Sequence, residues 1–298
     1  METTDLTGKT ILITGATDGI GRETARQLAR LGAHIILTGR NPQKAEAAVQ
    51  ELRQSTGNPH IEFLIADLSS QRQIRALAET VKGKIPSLYA LINNAGAIFM
   101  QRQVSEDGIE MTFALNHLGY FSLTLLLLDI LKDSAPARII NVSSAAHRGA
   151  RLNFEDLQNE RSYQGWPVYS QSKLANLLFT YELARRLEGS GITVNALHPG
   201  FVATRFGRSN GGIFDPLFRL FQFAAISPEE GARTSVYLAA SPEVEGVSGK
   251  YFEKCKAVPS SPESYDLTSA RRLWEVSLQM TGLSEPEILH SPAAESPA

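Results

Sequence analysis

Short apolar runs alternate along the chain with segments whose apolar residues recur at helical spacing. The runs are rich in Ile, Leu and Val, which is typical of strands buried on both faces. The predicted strands are residues 10–14, 34–38, 61–66, 88–92, 138–142, 192–197 and 249–252. The predicted helices are residues 19–31, 42–53, 70–81, 105–131, 168–187, 228–239 and 267–280, and a break is expected near Asn116 in the fourth.

Strands that are separated by helices require a parallel sheet with crossover helices on its faces. We therefore predict an α/β protein with a doubly wound parallel sheet of about seven strands, helices on both faces, and a single domain over residues 1–283. Residues 201–227 combine glycines with phenylalanines and predict a mobile lid over an apolar ligand; ordinary core is the alternative. Residues 284–298 are rich in Pro, Ser and Ala and predict a disordered tail.

Composition excludes several classes of protein. The 298 residues carry a net charge of −2, which argues against a nucleic-acid binder. Cys255 is the only cysteine, so neither an intramolecular disulfide nor a cysteine-based zinc site is expected, and no metal site is predicted. The first ten residues are polar, and Asp129 interrupts the longest apolar stretch, so we expect no transmembrane segment and a soluble, cytoplasmic protein.

The turn after the first predicted strand is rich in glycine. Gly15 permits a sharp turn, Gly19 lets the backbone approach a pyrophosphate, and Gly21 lets the helix pack closely on the strand. The helix that follows offers unpaired N–H groups to the phosphates. The turn therefore predicts dinucleotide binding, and a purely structural turn is the alternative.

The second predicted strand ends in Thr38-Gly39-Arg40-Asn41. A site selective for NAD would place an acidic residue here to hold the ribose 2′-hydroxyl, and none is present. Arg40 can pair with a 2′-phosphate instead. The segment therefore favours NADP(H), unless Arg40 is only a solvated surface charge.

Tyr169 and Lys173 lie one helical turn apart, so their side chains share a helix face. A lysine ammonium nearby lowers the pKa of a phenol, which would make Tyr169 a general acid or base. Ser143 and Ser144 follow a predicted strand at the sheet edge where α/β proteins bind ligands, and only one of them can face a site there. Asn116 lies where a helix disfavours asparagine, and it either serves the site or kinks the helix.

In these residues and their order, the chain resembles the short-chain dehydrogenase/reductase family over nearly its whole length, to about residue 282. The resemblance implies a Rossmann-type fold. Asn116, Ser144, Tyr169 and Lys173 match the family's catalytic tetrad, which favours Ser144 over Ser143. The family's other motifs are also present: the glycine-rich turn at 14–21, the adenine-contacting pair at 67–68, the Asn-Asn-Ala-Gly motif at 93–96 and the nicotinamide-binding segment at 199–204. The resemblance implies cofactor contacts from Gly15, Thr17, Asp18, Gly19, Ile20, Gly21, Arg40, Asp67, Leu68, Asn94, Ala95, Gly96, Tyr169, Lys173, Pro199, Gly200, Val202 and Thr204.

Residues 115–121, 141–147, 169–176 and 249–252 are similar to the retinol dehydrogenase branch, which includes NADP(H)-dependent retinal reductases. That resemblance implies a lipophilic carbonyl or alcohol as the substrate. Tyr169 would exchange the proton and Ser144 would hold the substrate oxygen. Lys173 would bind the nicotinamide ribose and lower the pKa of Tyr169, and Asn116 would support a proton-relaying water.

The polar start of the chain differs from the hydrophobic anchor of the branch's membrane-bound members. The alternative functions are a reductase of another class, acting on an enone or a protochlorophyllide-like double bond, and a non-catalytic dinucleotide-sensing scaffold. Related enzymes pair two apolar helices across a two-fold axis, which predicts a homodimer here, and the helix at 267–280 would block or reinforce that contact.

Overall fold

The computed structural model describes residues 4–201 and 226–286 of the chain. The strands are Thr10–Ile13 (β1), His34–Gly39 (β2), Ile61–Ile65 (β3), Ala90–Asn93 (β4), Ala137–Val142 (β5), Ile192–His198 (β6), Lys250–Glu253 (β7) and Lys256–Ala257 (β8). The α-helices are Gly19–Arg30 (α1), Pro42–Thr56 (α2), Gln71–Lys84 (α3), Met111–Phe113 (α4), Gly119–Leu126 (α5), Leu128–Asp133 (α6), Gly165–Arg186 (α7), Pro228–Ala240 (α8) and Leu267–Thr281 (α9). A π-helical turn, Ala114–Leu118, joins α4 to α5.

The strands form one sheet in the order β3-β2-β1-β4-β5-β6-β7-β8. All neighbouring pairs from β3 to β7 are parallel, which confirms the predicted doubly wound α/β fold. The two-residue β8 pairs antiparallel with β7 and was not predicted. The strand order reverses between β1 and β4, and a crevice at the carboxyl ends of these strands is where such sheets bind ligands.

Local signals explain how the helices begin and end. In α2, the Asn41 side chain accepts from the Lys44 backbone N–H, and Pro42 occupies a first-turn position where its missing N–H costs no hydrogen bond. The helix ends at Gly57, whose φ of 72° is the left-handed conformation that glycine adopts most readily. Helices capped in this way cross over the sheet and cover both of its faces.

The core lies on both faces of the sheet because side chains alternate along each strand. Leu12 packs on the face covered by α3, α5 and α7, whereas Ile11 and Ile13 pack on the face covered by α1, α2 and α8. All three side chains are fully buried. Burial on both sides explains the nearly continuous apolar runs that mark these strands in the sequence.

The predicted helix at 105–131 begins too early. Ser105 starts a turn instead: its backbone N–H donates to Ile109 O and its carbonyl accepts from Gly108 N. Val104 and Glu110 then form an isolated antiparallel bridge. Helical structure begins only at Met111, where the Glu110 carboxylate accepts from two backbone N–H groups of the first turn. The break expected near Asn116 is present as the π-helical turn.

The C-terminal helix α9 is present as predicted and lies along α7. Its Trp274 packs against Phe121 and Phe179, with ring centroids 5.1 and 6.0 Å apart. This side of α7 is therefore covered from within the chain, and the homodimer stays a prediction.

Within residues 4–201 and 226–286, no helix combines the length and the apolar character that crossing a bilayer requires. Nearly all of the predicted lid, and the tail from residue 287, lie outside the described residues.

Candidate active site

The glycine turn between β1 and α1 leaves an open cradle at the switch point. Gly15 has a φ of +63°, and a Cβ there would lie 2.7 Å from Ala95 Cα. A Cβ at Gly21 would lie 2.5 Å from Asn94 Nδ2. Side chains are therefore excluded where the turn meets the segment after β4. A turn of this shape at a helix N-terminus fits the diphosphate of a dinucleotide.

The glycine turn ends at Asp18, which is the N-cap residue of α1. The Asp18 carboxylate accepts from Gly19 N at 2.8 Å. Ile20 follows in the first helical turn and is half-buried. Gly19 has a φ of 55°, so the backbone turns into the helix in a left-handed conformation that glycine tolerates.

Thr14 fastens the segment after β4 to the glycine turn. Its Oγ1 accepts from the backbone N–H groups of Asn94 and Ala95 at 2.8 and 3.0 Å. The Asn94 amide donates to Thr14 O at 2.8 Å. Thr14 therefore orders two predicted cofactor-binding residues. The sequence pattern did not single it out, although it opens the glycine motif at the end of β1.

Arg40, Asp67 and Thr17 lie around the carboxyl ends of β2 and β3. An Arg40 guanidinium nitrogen lies 3.6 Å from Asp67 Oδ2, and the arginine side chain is 59% exposed. The other oxygen of Asp67 accepts from the backbone and hydroxyl of Ser69. Thr17 packs at Gly39, where a Cβ would lie 2.6 Å from its methyl group. Arg40 is thus held beside the turn with most of its surface open to a ligand.

Two members of the predicted tetrad, Asn116 and Lys173, meet at the exposed Gly96. A Cβ at Gly96 would lie 3.2 Å from Asn116 Oδ1 and 3.5 Å from Lys173 Nζ. Lys173 and Tyr169 are both buried, and Lys173 Nζ lies 5.6 Å from the centre of the Tyr169 ring. The ammonium donates to Val142 O at 3.0 Å, at the end of β5. These contacts bring groups from four separate elements to one point.

Asn116 is fixed by the loop that follows β4. Its Oδ1 accepts from Ala97 N and its Nδ2 donates to Ala97 O, each at 2.9 Å. The same Nδ2 lies 3.0 Å from Ser172 Oγ on α7. A completely buried asparagine must satisfy its amide within the protein, and these bonds do so. Asn116 thereby holds the loop, the π-helical turn and α7 together.

The two serines after β5 face different partners. Ser143 is buried and donates to Lys173 O at 2.8 Å, which occupies its hydroxyl inside the core. Ser144 is half-buried and caps the short 3-10 helix Ala145–His147. The Ser144 hydroxyl also interacts with the phenol of Tyr169 and acts to lower the pKa of that phenol. Of the two, Ser144 is therefore placed beside the tyrosine.

Burial dominates the electrostatics of the pair on α7. It raises the pKa of Tyr169 to about 12, and the interaction with the Ser144 hydroxyl offsets only part of that rise. Burial also lowers the pKa of Lys173 to about 7. The net effect on Tyr169 is therefore a raised pKa, and a lowering of that pKa by Lys173 stays a prediction, since desolvation leaves the lysine only partly charged at neutral pH. At neutral pH the phenol holds its proton.

The remaining predicted cofactor contacts lie after β6 and in the loop between β3 and α3. Pro199 and Gly200 come directly after β6 and are half-buried, and Gly200 has a φ of +92°. Leu68 is buried, and its carbonyl lies 2.7 Å from the position of a Cβ on Gly119. Val202 and Thr204 lie outside the described residues.

Comparisons with known proteins agree with this geometry. A family model for short chain dehydrogenases matches residues 9–211. Retinol dehydrogenase 14 of Mus musculus is 48% identical over 291 residues, covering 93% of this chain and 86% of the relative. Retinol dehydrogenase 13 of Homo sapiens is 46% identical over 291 residues, covering 96% of this chain and 88% of the relative.

Solved structures give the same result. An uncharacterized protein from Mycobacterium paratuberculosis matches with a TM-score of 0.78 and 33% identity, covering 96% of this chain and 97% of that one. RhlG of Pseudomonas aeruginosa, solved as an NADP active-site complex, matches with a TM-score of 0.69 and 27% identity, covering 89% of this chain and 99% of that one.

The chain belongs to the short-chain dehydrogenase family. Within that family it falls in the retinol dehydrogenase branch, and it is an oxidoreductase acting on CH–OH or C=O groups with a nicotinamide dinucleotide.

Proposed function

We propose that the protein is an NADP(H)-dependent oxidoreductase that interconverts a lipophilic aldehyde or ketone and its alcohol, with Tyr169 as general acid and base. The observation that carries the proposal is the convergence of Ser144, Tyr169, Lys173 and Asn116 beside the cradle at the switch point. A dinucleotide-sensing scaffold needs the cradle but has no use for this cluster. The retinal-like substrate class is taken from the names of the relatives.

The preference for NADP(H) is supported by the open side chain of Arg40 at the end of β2. No acidic residue occupies the segment 38–41, where a ribose 2′-hydroxyl would be held. Neighbouring structures in the family contain NADP, including one from Shigella flexneri with 25% identity. A guanidinium matches the geometry and charge of a phosphate, so Arg40 would recognise the 2′-phosphate.

The cofactor, when bound, supplies or accepts the hydride. Gly15, Gly19 and Gly21 would admit its diphosphate, and Pro199 with Gly200 would border its nicotinamide end. Ser144 would donate to the substrate oxygen and hold it beside Tyr169. Because burial keeps the Tyr169 phenol protonated at neutral pH, it would give its proton to a carbonyl oxygen during reduction. Asn116 would keep the loop after β4 from moving away from Lys173.

The decisive experiment measures the oxidation of NADPH and of NADH with retinal, a medium-chain aldehyde and a steroid ketone. Tyr169→Phe should retain NADPH binding and lose turnover by about 10²- to 10⁴-fold, the usual contribution of a general acid. Tyr237→Phe is the matched control, because Tyr237 lies on α8 and its hydroxyl bonds Glu243 at the protein surface. Full turnover in Tyr169→Phe would refute the role of the tyrosine.

The same panel separates the alternatives. If the protein binds NADPH and reduces no carbonyl group but reduces the double bond of an enone or a pigment, it is a double-bond reductase. If it binds NADPH and reduces neither, a sensing scaffold is favoured. Comparable kcat/KM values with NADH and NADPH would refute the cofactor preference.

A further inference from the structure

A buried histidine directly follows the proposed catalytic serine in the short 3-10 helix Ala145–His147. His147 has no exposed surface, and both ring nitrogens have partners. Its Nδ1 lies 2.6 Å from Ser144 O, and its Nε2 accepts from Ser261 N at 3.1 Å. The ring meets Tyr251 of β7 edge-on at 5.1 Å. The imidazole is therefore held on three sides.

The two hydrogen bonds fix which nitrogen carries the proton. A backbone N–H can only donate, so Nε2 must be the unprotonated nitrogen, and Nδ1–H must donate to the Ser144 carbonyl. Burial lowers the pKa of His147, which keeps the ring neutral at physiological pH. A ring in the other tautomer would set two donors against each other at Ser261.

The partner on the far side of the ring belongs to the C-terminal segment. Ser261 precedes the 3-10 helix Pro262–Tyr265, which leads into α9. Arg148 donates to Pro259 O at 3.3 Å, and Ser260 Oγ lies 2.7 Å from the Tyr181 hydroxyl of α7. The segment 259–261 is thus fastened to the end of β5 and to α7, and its connection to the Ser144 backbone runs through His147.

We propose that His147 is a positioning residue that holds the turn at Ser144, so that the serine hydroxyl stays against Tyr169. The inference rests on the proposed function, in which Ser144 orients the substrate oxygen. His147 itself touches neither the phenol nor a substrate in this role. It acts through the backbone carbonyl of Ser144.

Two isosteric variants separate the two hydrogen bonds. In His147→Asn, the amide nitrogen takes about the place of Nδ1 and can still donate to Ser144 O. In His147→Gln, the amide oxygen takes about the place of Nε2 and keeps only the bond from Ser261. Since a misplacement of about 1 Å at a catalytic group costs roughly 100-fold, His147→Gln should lose kcat on that scale, with KM and NADPH affinity unchanged. His147→Asn should stay near the wild type.

Equal kcat losses in the two variants, or no loss in either, would overturn the inference. A merely structural histidine would lower the melting temperature of both variants without separating their kcat values. His60→Gln, at an exposed site, controls for histidine replacement as such.

Two NMR measurements need no turnover and no known substrate. Imidazole ¹⁵N shifts of the wild type, assigned with His147→Asn, should show the Nδ1–H tautomer; the Nε2–H tautomer would overturn the inference. The ¹³Cζ resonance of Tyr169, assigned with Tyr169→Phe, should move in His147→Gln as it moves in Ser144→Ala, and should stay in place in His147→Asn. An unmoved resonance in His147→Gln would overturn the inference. A wild type that reduces no carbonyl would overturn the proposed function alone.

Discussion

Acidification should destabilise this protein through His117, a fully buried residue in the π-helical turn beside Asn116. Its Nε2 lies 2.8 Å from Ser277 Oγ of α9, and the rings of Phe113, Phe121 and Phe179 surround it. Burial lowers the pKa of His117 from 6.5 to about 3. The unfolded chain therefore takes up a proton at a pH where the folded chain does not, and stability falls as the pH drops below the unfolded pKa.

The size of the effect follows from the two pKa values. Between about pH 7.5 and about pH 5, the unfolded imidazole becomes almost fully protonated while the buried ring stays neutral. The free energy of unfolding should then fall by about 2 kcal/mol from this residue alone. The loss should continue toward pH 3 and level off below it. Burial lowers the pKa of His147 and His198 as well, so they add to the wild-type slope in the same direction.

Urea unfolding of the wild type and of His117→Gln across this range isolates the contribution. The glutamine can keep a hydrogen bond to Ser277 but has no titrating group. On acidification, the wild type should therefore lose about 2 kcal/mol more of its free energy of unfolding than His117→Gln does. His60→Gln, at an exposed position, should run parallel to the wild type. Parallel curves for wild type and His117→Gln would refute the reasoning, whatever the absolute stability of the variant.

Two further outcomes test the cofactor preference and the C-terminal helix. Arg40→Leu should lower kcat/KM for NADPH by about 10- to 100-fold, the worth of a hydrogen bond to a charged group, and leave NADH nearly unaffected; equal losses with both cofactors would contradict 2′-phosphate recognition. Trp274→Ala should cost about 3–5 kcal/mol in urea unfolding because the indole is buried against two rings of the core. Leu267→Ala, exposed on the same helix, should change stability little, and similar losses in both variants would mean that α9 is not anchored by the tryptophan.

The parallel sheet could be predicted because its signals are local. Apolar runs, helical periodicity and glycine turns each lie within about ten residues, and strand–helix alternation leaves few topologies open. The predicted start of the helix at 105–131 was wrong because Val104 and Glu110 form a bridge, and the helix begins only after Glu110. The hairpin between β7 and β8 turns through Lys254 and Cys255, which have positive φ values. Because neither residue is glycine, asparagine or aspartate, the sequence gives no sign of a turn there.

The membership of the candidate site was also predictable, since Gly96, Asn116, Ser144, Tyr169 and Lys173 come from motifs of fixed spacing. What spacing does not carry is solvation. Whether Lys173 lowers the pKa of the phenol depends on how much charge the lysine keeps, and that depends on side chains from β5, the π-helical turn and α7 that close around it. A motif predicts which groups meet, and packing decides the protonation state in which they meet.

The charge state has a direct bearing on direction. A Tyr169 phenol whose pKa is about 12 is a ready proton donor at neutral pH and a poor acceptor, because almost none of it is phenolate. Reduction of a carbonyl needs only the donor. Oxidation of an alcohol needs the phenolate. The Ser144 hydroxyl offsets only part of the rise in the pKa of Tyr169, and Lys173, whose pKa is about 7, is only partly charged at neutral pH. In the proposed mechanism, the protonated Tyr169 is therefore ready to donate to a carbonyl oxygen at neutral pH, whereas oxidation would require further stabilisation of the phenolate.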